Sequence, residues 1–551
     1  MKTNSGTFFS NISKTVKPEE LVENSENNGL KKTLSAFDLI ILGISAIIGC
    51  GIFVMIGPAV CGSHGNVGAG PSVVISIILA AVVCICPALC YAEFASVIPV
   101  SGSVYTYTYA TLGEFAAWVI GWILLLEYAI SDITIAVSWT DYLLNFLKGY
   151  ENVLPEWVVN PPIWLINDIP TAIEKCRQAG LNPDTTLPHI LGYPVSLNLP
   201  AMMIVLILGL ILLKGIKEST KAAAAMVIVK LAVILVFVGA GMFFVQPENW
   251  TPFAPSGISG IVLSTFIIFY AYIGFDTIST AAEETKNPQK NLPIGLIGSL
   301  VVCSILYALV AIVFTGIVPV EKYADVDLLA PIAFAVRYIN QPWIAGWISI
   351  GALAGLTSAL LIFQYGNTRI LYSMGRDNFL PKSLTKIDAK SNIPYIATWI
   401  TTIIVMLGCI FMDANVAAEL GIFGTLTCFI MVCVGVILMR IKSPNLERPF
   451  KVPLYPLLPI AGILVCGYLI VTVIPQLLVS AILFPIWILF GCLIYFTYGY
   501  KKKRLAEVEN QVKLCPVCGN ETDGNAEICR FCGNQINYKN TEESSNNANI
   551  Q

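Results

Sequence analysis

The residues with the most chemistry to offer stand where charge is expensive. Lys230 lies in Met226-Val227-Ile228-Val229-Lys230-Leu231-Ala232, Glu127 in Leu124-Leu125-Leu126-Glu127-Tyr128, and Asp276 in Tyr270-Ala271-Tyr272-Ile273-Gly274-Phe275-Asp276. An ionisable side chain inside a membrane is costly, and by default it marks a substrate or ion path. One of the three sits beside a glycine, Gly274 preceding Asp276, and elsewhere Gly43, Gly49 and Gly51 crowd a single apolar run. Near the end of the chain, Cys515-Pro516-Val517-Cys518-Gly519 and Cys529-Arg530-Phe531-Cys532-Gly533 repeat one pattern, with ten residues between the two Cys pairs. A glycine after the second thiolate permits the tight turn that brings two sulfurs onto one metal.

Composition names the solvent in which these groups must be positioned. Of 551 residues, 56% are hydrophobic and 12% charged, against a soluble norm of roughly 25% charged. The charges fall between apolar runs of about 20 residues, the length that crosses a hydrocarbon core of roughly 30 Å. Twelve such segments are expected, near 36–62, 72–97, 113–147, 197–213, 222–245, 258–282, 294–318, 344–374, 394–412, 416–439, 457–475 and 479–500. Their arrangement predicts an all-α polytopic membrane protein and excludes a soluble enzyme or a nucleic-acid binder.

Numbering the loops alternately puts Lys31, Lys32, Lys214, Lys217, Lys221, Lys286, Lys290, Arg376, Lys382, Lys386, Arg440, Lys442, Arg448, Lys451 and Lys501 to Arg504 on one side. Lys148, Lys175, Arg177, Lys322 and Arg337 fall on the other. The positive-inside rule then places both termini in the cytoplasm of a plasma-membrane protein. Residues 1–34 read as a polar cytoplasmic segment without a signal peptide. Residues 35–503 form the membrane domain, 504–512 a linker, 513–537 a metal-binding module and 538–551 a disordered tail. The longest outer loop, about 148–196, is rich in Pro and Trp and is expected to cap the outer face.

The first segment, with Gly49-Cys50-Gly51 at mid-membrane depth, reads either as a broken helix lining a cavity or as a close helix crossing made with small residues. The sixth segment decides between them, because Gly274 and Asp276 interrupt it at the corresponding depth. Paired interruptions in two halves point to a transporter binding site. Half-helix N-termini there offer N–H groups to a carboxylate, and freed carbonyls accept from an ammonium. Such a place receives a zwitterion.

Several stretches together carry a family resemblance. They are Ile47-Ile48-Gly49-Cys50-Gly51-Ile52-Phe53, Cys90-Tyr91-Ala92-Glu93-Phe94-Ala95, Pro99-Val100-Ser101-Gly102-Ser103, Tyr109-Ala110-Thr111-Leu112-Gly113-Glu114, Tyr272-Ile273-Gly274-Phe275-Asp276 and Ala281-Ala282-Glu283-Glu284-Thr285-Lys286-Asn287-Pro288. The chain resembles the bacterial branch of the cationic amino acid transporter family, within the amino acid-polyamine-organocation superfamily. The resemblance covers residues 35 to about 500, outside the long loop. It implies a five-plus-five inverted repeat with broken helices 1 and 6 and two extra helices. It also implies that the substrate ammonium meets the carbonyls of Ile47, Tyr270 and Ile273, and the carboxylate the N–H groups of Gly49, Cys50 and Gly51. Relatives carry Ser or Ala more often at Cys50, Gln at Asn367 and Gly at Asn378, so no family role passes to the last two.

Lys230 lies nine residues past Lys221, or about 13 Å along a helix, near the bilayer middle. In sodium-coupled transporters of similar architecture this part of the fifth helix borders a sodium site, so an ammonium there would replace the ion and carry a proton. Glu127 reads as a proton partner or substrate contact, or as a hydrogen-bonded structural carboxyl. Asp276 reads as a cap on the second half-helix or as a gating group. Arg369 and Arg376 read as topology and gate charges. Cys515, Cys518, Cys529 and Cys532 resemble a zinc ribbon holding Zn2+, with iron the rival metal and no cofactor expected for transport itself.

The function expected is secondary active amino-acid import, proton-coupled, by a monomer or weak oligomer in the lipid bilayer. An exchanger of the same fold is the alternative, and a receptor or channel with a zinc-sensing tail a more distant one. The amino acid carried is not legible from these residues.

Overall fold

The computed structural model describes residues 12–26, 32–62, 67–324, 331–388, 391–474, 477–514, 521–523 and 532. Ser35 opens the first membrane helix, α1 (Ala36–Ile47), with a capping box in which Asp38 answers its backbone and side chain. The chain leaves helical geometry at Ile48 and turns again over Cys50–Phe53 and Ile56–Cys61. Then come α2 (Val73–Val97), α3 (Glu114–Lys148), α4 (Leu199–Leu212), α5 (Ile216–Gly241) and α6 (Gly257–Phe269). After α6 the chain narrows to a 3-10 turn over Tyr270–Tyr272, breaks at Ile273 and Gly274, and continues as a 3-10 helix over Phe275–Glu284. The last six are α7 (Pro288–Ile317), α8 (Pro342–Arg376), α9 (Tyr395–Phe411), α10 (Ala414–Lys442), α11 (Leu457–Val473) and α12 (Leu478–Ile494).

Among the described residues, nine helical stretches are long and apolar enough to cross a membrane. Three shorter apolar helices, Leu199–Leu212, Tyr395–Phe411 and Leu457–Thr472, occupy other apolar segments. The packing is layered. In the α3 stretch 78% of the apolar window is buried, whereas in the stretch that begins α12 only 22% is. α8 and α10 each pack against the central α3, and α7 lies against α1 and α2. Outward faces stay apolar: Ile228, Leu235, Leu464, Val471 and Leu489 are all exposed. Water would not tolerate so large an apolar surface, and lipid makes it the expected one.

The long loop between α3 and α4 folds into four short helices, Glu156–Val159, Ile163–Ile166, Ile169–Gln178 and Pro183–Thr186, and a two-residue hairpin pairing His189–Ile190 with Tyr193–Pro194. Ala172, Cys176 and Leu187 form its own small core. The Thr171 hydroxyl, 3.3 Å from Asp413 Oδ2, ties it to the turn between α9 and α10. At the other end, α12 passes through a π turn, Tyr495–Gly499, into a polar helix, Tyr500–Gln511. Strands Val512–Leu514 and Glu521–Asp523 then pair antiparallel, Leu514 opposite Glu521. Cys515, Cys518 and Cys529 lie outside the described residues; Cys532, within them, is half-buried.

Candidate functional site

The two interruptions face each other at the centre of the bundle. A Cβ placed on Gly51 would meet Ala271 Cα at 2.2 Å, so only glycine lets the resumed first helix pass the 3-10 turn after α6. Gly274 takes φ +114°, a conformation glycine adopts freely, and it too packs against the α1 side, at Ala46. Between the breaks, Ala46, Ile47, Gly51, Ser131, Ile135, Tyr270, Ile273 and Phe363 line one pocket. Its volume is about 10 Å³, room for no more than a water. This conformation is therefore closed around the site.

Four of the expected ligand residues, Ile47, Gly51, Tyr270 and Ile273, meet in that lining; Gly49 and Cys50 flank it. The expected backbone groups are not all free. The Ile47 carbonyl accepts from the Tyr307 hydroxyl at 2.8 Å and from the Gly49 N–H at 2.9 Å, and the Tyr270 carbonyl accepts from the Ile273 N–H at 3.2 Å. Tyr307 also donates to the Ala271 carbonyl at 2.9 Å, so one hydroxyl on α7 bridges both broken helices. In Ser304-Ile305-Leu306-Tyr307-Ala308 nothing in the sequence sets this tyrosine apart from any other buried aromatic residue.

Lys230, on α5, is fully buried and points its ammonium into the first break. Nζ donates to the carbonyls of Ile44 at 3.0 Å, Ser45 at 3.1 Å and Ile48 at 2.7 Å, and to the Ser358 hydroxyl at 2.9 Å. The Ile44 carbonyl also accepts from the Ile48 N–H at 3.0 Å, and the lysine gathers the three carbonyls at the end of α1 as a bound cation would. Glu127 and Asp276 are both buried and bonded to hydroxyls. Glu127 Oε1 accepts from the Thr425 hydroxyl at 2.6 Å, and Asp276 Oδ2 from the Tyr128 hydroxyl at 2.8 Å. Each carboxyl keeps one buried oxygen, Glu127 Oε2 and Asp276 Oδ1, without a hydrogen-bond partner among the described residues. Gly274 itself occupies the cap position of the 3-10 helix, and Asp276 lies in its first turn.

The basic end of the bundle is shut by ion pairs. Arg369 pairs with Glu284, both buried, and Tyr365 donates to the second Glu284 oxygen at 3.0 Å. Arg376 reaches Glu283 Oε1 at 2.7 Å, and the Ser101 N–H joins the same oxygen at 3.0 Å. The Thr33 and Leu34 N–H groups bond to the Glu284 carbonyl at 2.8 and 3.0 Å, tying the segment before α1 to the end of the interrupted sixth helix.

A membrane bundle with two facing helix breaks, a pocket between them and a closed ion-paired end defines a membrane transporter. The amino acid permease family matches residues 34–498, and the chain belongs to it. The matched region ends ahead of the cysteine-containing tail. The chain is 42% identical over 482 residues to the branched-chain amino acid permease BcaP of Bacillus subtilis (strain 168), covering 87% of this chain and 96% of the relative. It is 38% identical over 487 residues to the methylthioribose transporter of the same organism, 88% and 97% covered. Cationic amino acid transporter 9, chloroplastic, of Arabidopsis thaliana is 35% identical over 396 residues, 70% and 64% covered.

Proposed function

We propose that the chain imports neutral amino acids with aliphatic side chains, coupled to protons, by alternating access around the facing breaks. Twelve membrane helices in two inverted five-helix repeats plus two, with both termini in the cytoplasm, are part of this reading. The observation that carries it is the Lys230 ammonium held on three carbonyls of the α1 break, directly behind the pocket wall at Ala46 and Ile47. A lysine that binds the break when charged and releases it when neutral links a proton to the shape of the site.

The choice of neutral side chains rests on the lining. Ile135, Ile273, Phe363 and Ala46 are apolar, Ser131 and Tyr270 are uncharged, and among the described residues no carboxylate lines the pocket. An arginine or lysine side chain would lose its hydration there without an ionic partner. The bacterial relatives named for branched-chain amino acids and for methylthioribose agree with an uncharged ligand. Exchange remains the alternative to import with the same site.

The site residues keep their assigned parts. Helix breaks at Gly49, Cys50 and Gly51 hold the carboxylate, the carbonyls of Ile47, Tyr270 and Ile273 the ammonium, and Glu127 and Asp276 answer charge movement across from Lys230. For the ammonium to reach the Ile47 carbonyl, the Tyr307 hydroxyl must give way or share it. Uptake into sodium-free liposomes from a panel of leucine, isoleucine, valine, arginine and glutamate tests the specificity. Leucine, isoleucine and valine should be taken up fastest; preferred arginine uptake would refute the neutral pocket.

The tail adds a zinc site of Cys515, Cys518, Cys529 and Cys532. The paired strands Val512–Leu514 and Glu521–Asp523 flank the first Cys-x-x-Cys, which is the hairpin a zinc knuckle uses. Metal analysis of purified protein should find one zinc per chain, lost in Cys515→Ser. A stoichiometry unchanged by that substitution would refute the site.

A further inference from the structure

Away from the substrate pocket, the structure has a groove of about 670 Å³ on the outside of the bundle, at its basic end. One wall is the first three turns of α7, with Lys290, Pro293, Ile294, Ile297 and Gly298; the other is Pro449 and Phe450, in the link between α10 and α11. The groove has a direction. Lys290 stands in the first turn of α7 and Gly298 lies eight residues further on, about 12 Å deeper along the helix. The mouth is therefore cationic and the depth apolar. Below it the same face of α7 continues exposed and apolar through Val301, Val302 and Ile305.

The second wall is anchored. Buried Glu93, at the end of α2, accepts from Arg440 Nε at 2.9 Å and from the Val452 N–H at 2.7 Å, and the Phe450 N–H bonds to Ser96 Oγ at 3.3 Å. These bonds hold Pro449 and Phe450 in place as a fixed edge. Lys290 lines the mouth, and Lys286, four residues before it, and Lys451, directly after Phe450, adjoin the two walls in sequence. All three are exposed and none forms an ion pair among the described residues. Three unpaired cations over an apolar slot complement an amphiphile with an anionic head, and neither a soluble anion nor an uncharged lipid would satisfy both ends.

We propose that this groove binds an anionic phospholipid of the leaflet facing the basic side. The headgroup sits over Lys286, Lys290 and Lys451, and one acyl chain lies along Ile294, Ile297 and Phe450. Its floor reaches the transport machinery, because a Cβ on Gly298 would touch Ile40 of α1 at 3.3 Å. A lipid in the groove thus bears on the helix whose break Lys230 holds, and its presence sets how readily α1 moves against α7.

Native mass spectrometry of the purified full chain, with phosphatidylglycerol and phosphatidylcholine added in equal amounts, tests the binding. Wild-type protein should retain phosphatidylglycerol in preference, Lys290→Gln and Lys286→Gln should each weaken retention about fivefold, and Ile297→Trp should remove it by filling the slot. Equal retention of the two lipids overturns the proposal, as does retention unchanged in both Lys290→Gln and Ile297→Trp, which would leave annular lipid only. Displacement of phosphatidylglycerol by inorganic phosphate would overturn it too, since it would show a site for a free anion. In liposomes, initial leucine uptake by wild type should rise with the phosphatidylglycerol fraction, and that rise should be lost in Ile297→Trp. The binding readout is independent of what the protein transports.

Discussion

Tyr307 and Gly51 show how much of the site is made by single atoms. The Tyr307 hydroxyl satisfies carbonyls from both broken helices, Ile47 and Ala271, and its loss leaves the Ala271 carbonyl with one partner fewer. At about 1–1.5 kcal/mol for such a bond, Tyr307→Phe should slow uptake by roughly tenfold, measured as initial rate in liposomes. Gly51 has no slack, its Cβ position falling 2.2 Å from Ala271 Cα. Gly51→Ala should abolish uptake and lower the melting temperature, since overpacking costs about 1–3 kcal/mol. Melting unchanged from wild type would mean the crossing is looser than it looks. The glycines and Lys230 were legible in the sequence because each breaks a local rule, a charge or a run of glycines within an apolar segment. Tyr307 breaks none. Its partners are 260 and 36 positions away, and only the fold brings them together.

At the scale of elements, the breaks matter because they leave helix ends inside the membrane, and every freed group then needs a partner. The α1 break was foreseeable from Gly49-Cys50-Gly51. That the second part of the sixth segment would wind as a 3-10 helix, Phe275–Glu284, was not. Its side chains, among them Glu283 and Glu284, are buried and answered by arginines on α8, a helix whose pairing with it no local pattern encodes. Arg369 and Glu284 form a fully buried pair, so removing either partner alone leaves an uncompensated charge, at a cost of about 3–5 kcal/mol. Arg369→Gln and Glu284→Gln should each lower the melting temperature by more than Arg369→Met/Glu284→Leu does. Single and double variants melting alike would show that the pair carries no such cost. The Pro- and Trp-rich loop 148–196 was legible as a long connection, but its own core of Ala172, Cys176 and Leu187 depends on contacts that composition does not reveal.

For the whole molecule, apolar runs dictated a membrane bundle before any helix was placed, because the bilayer admits few alternatives. The closed centre and the groove at the basic end follow from packing between distant helices and had no signature in the sequence. The polar helix Tyr500–Gln511 marks where the bundle hands over to the tail: Arg504 pairs with Glu114, and Lys503 Nζ donates to the Asp377 carbonyl at 2.9 Å. Because those contacts precede the cysteines, a chain ending after Gln511 should transport as the full chain does while lacking the zinc proposed for the tail. Loss of uptake on that truncation, with melting unchanged, would show instead that the tail is part of the transport cycle.

Proton coupling through Lys230 is best tested in sodium-free proteoliposomes, with leucine uptake measured with and without an inward proton gradient in wild type and Lys230→Met. The gradient should accelerate wild-type uptake, and Lys230→Met should lose that acceleration by at least tenfold, about 1.4 kcal/mol of coupling, while retaining the folded melting profile. Uptake by Lys230→Met that responds to the gradient as wild type does, or wild-type uptake that requires sodium, would contradict the role given to Lys230.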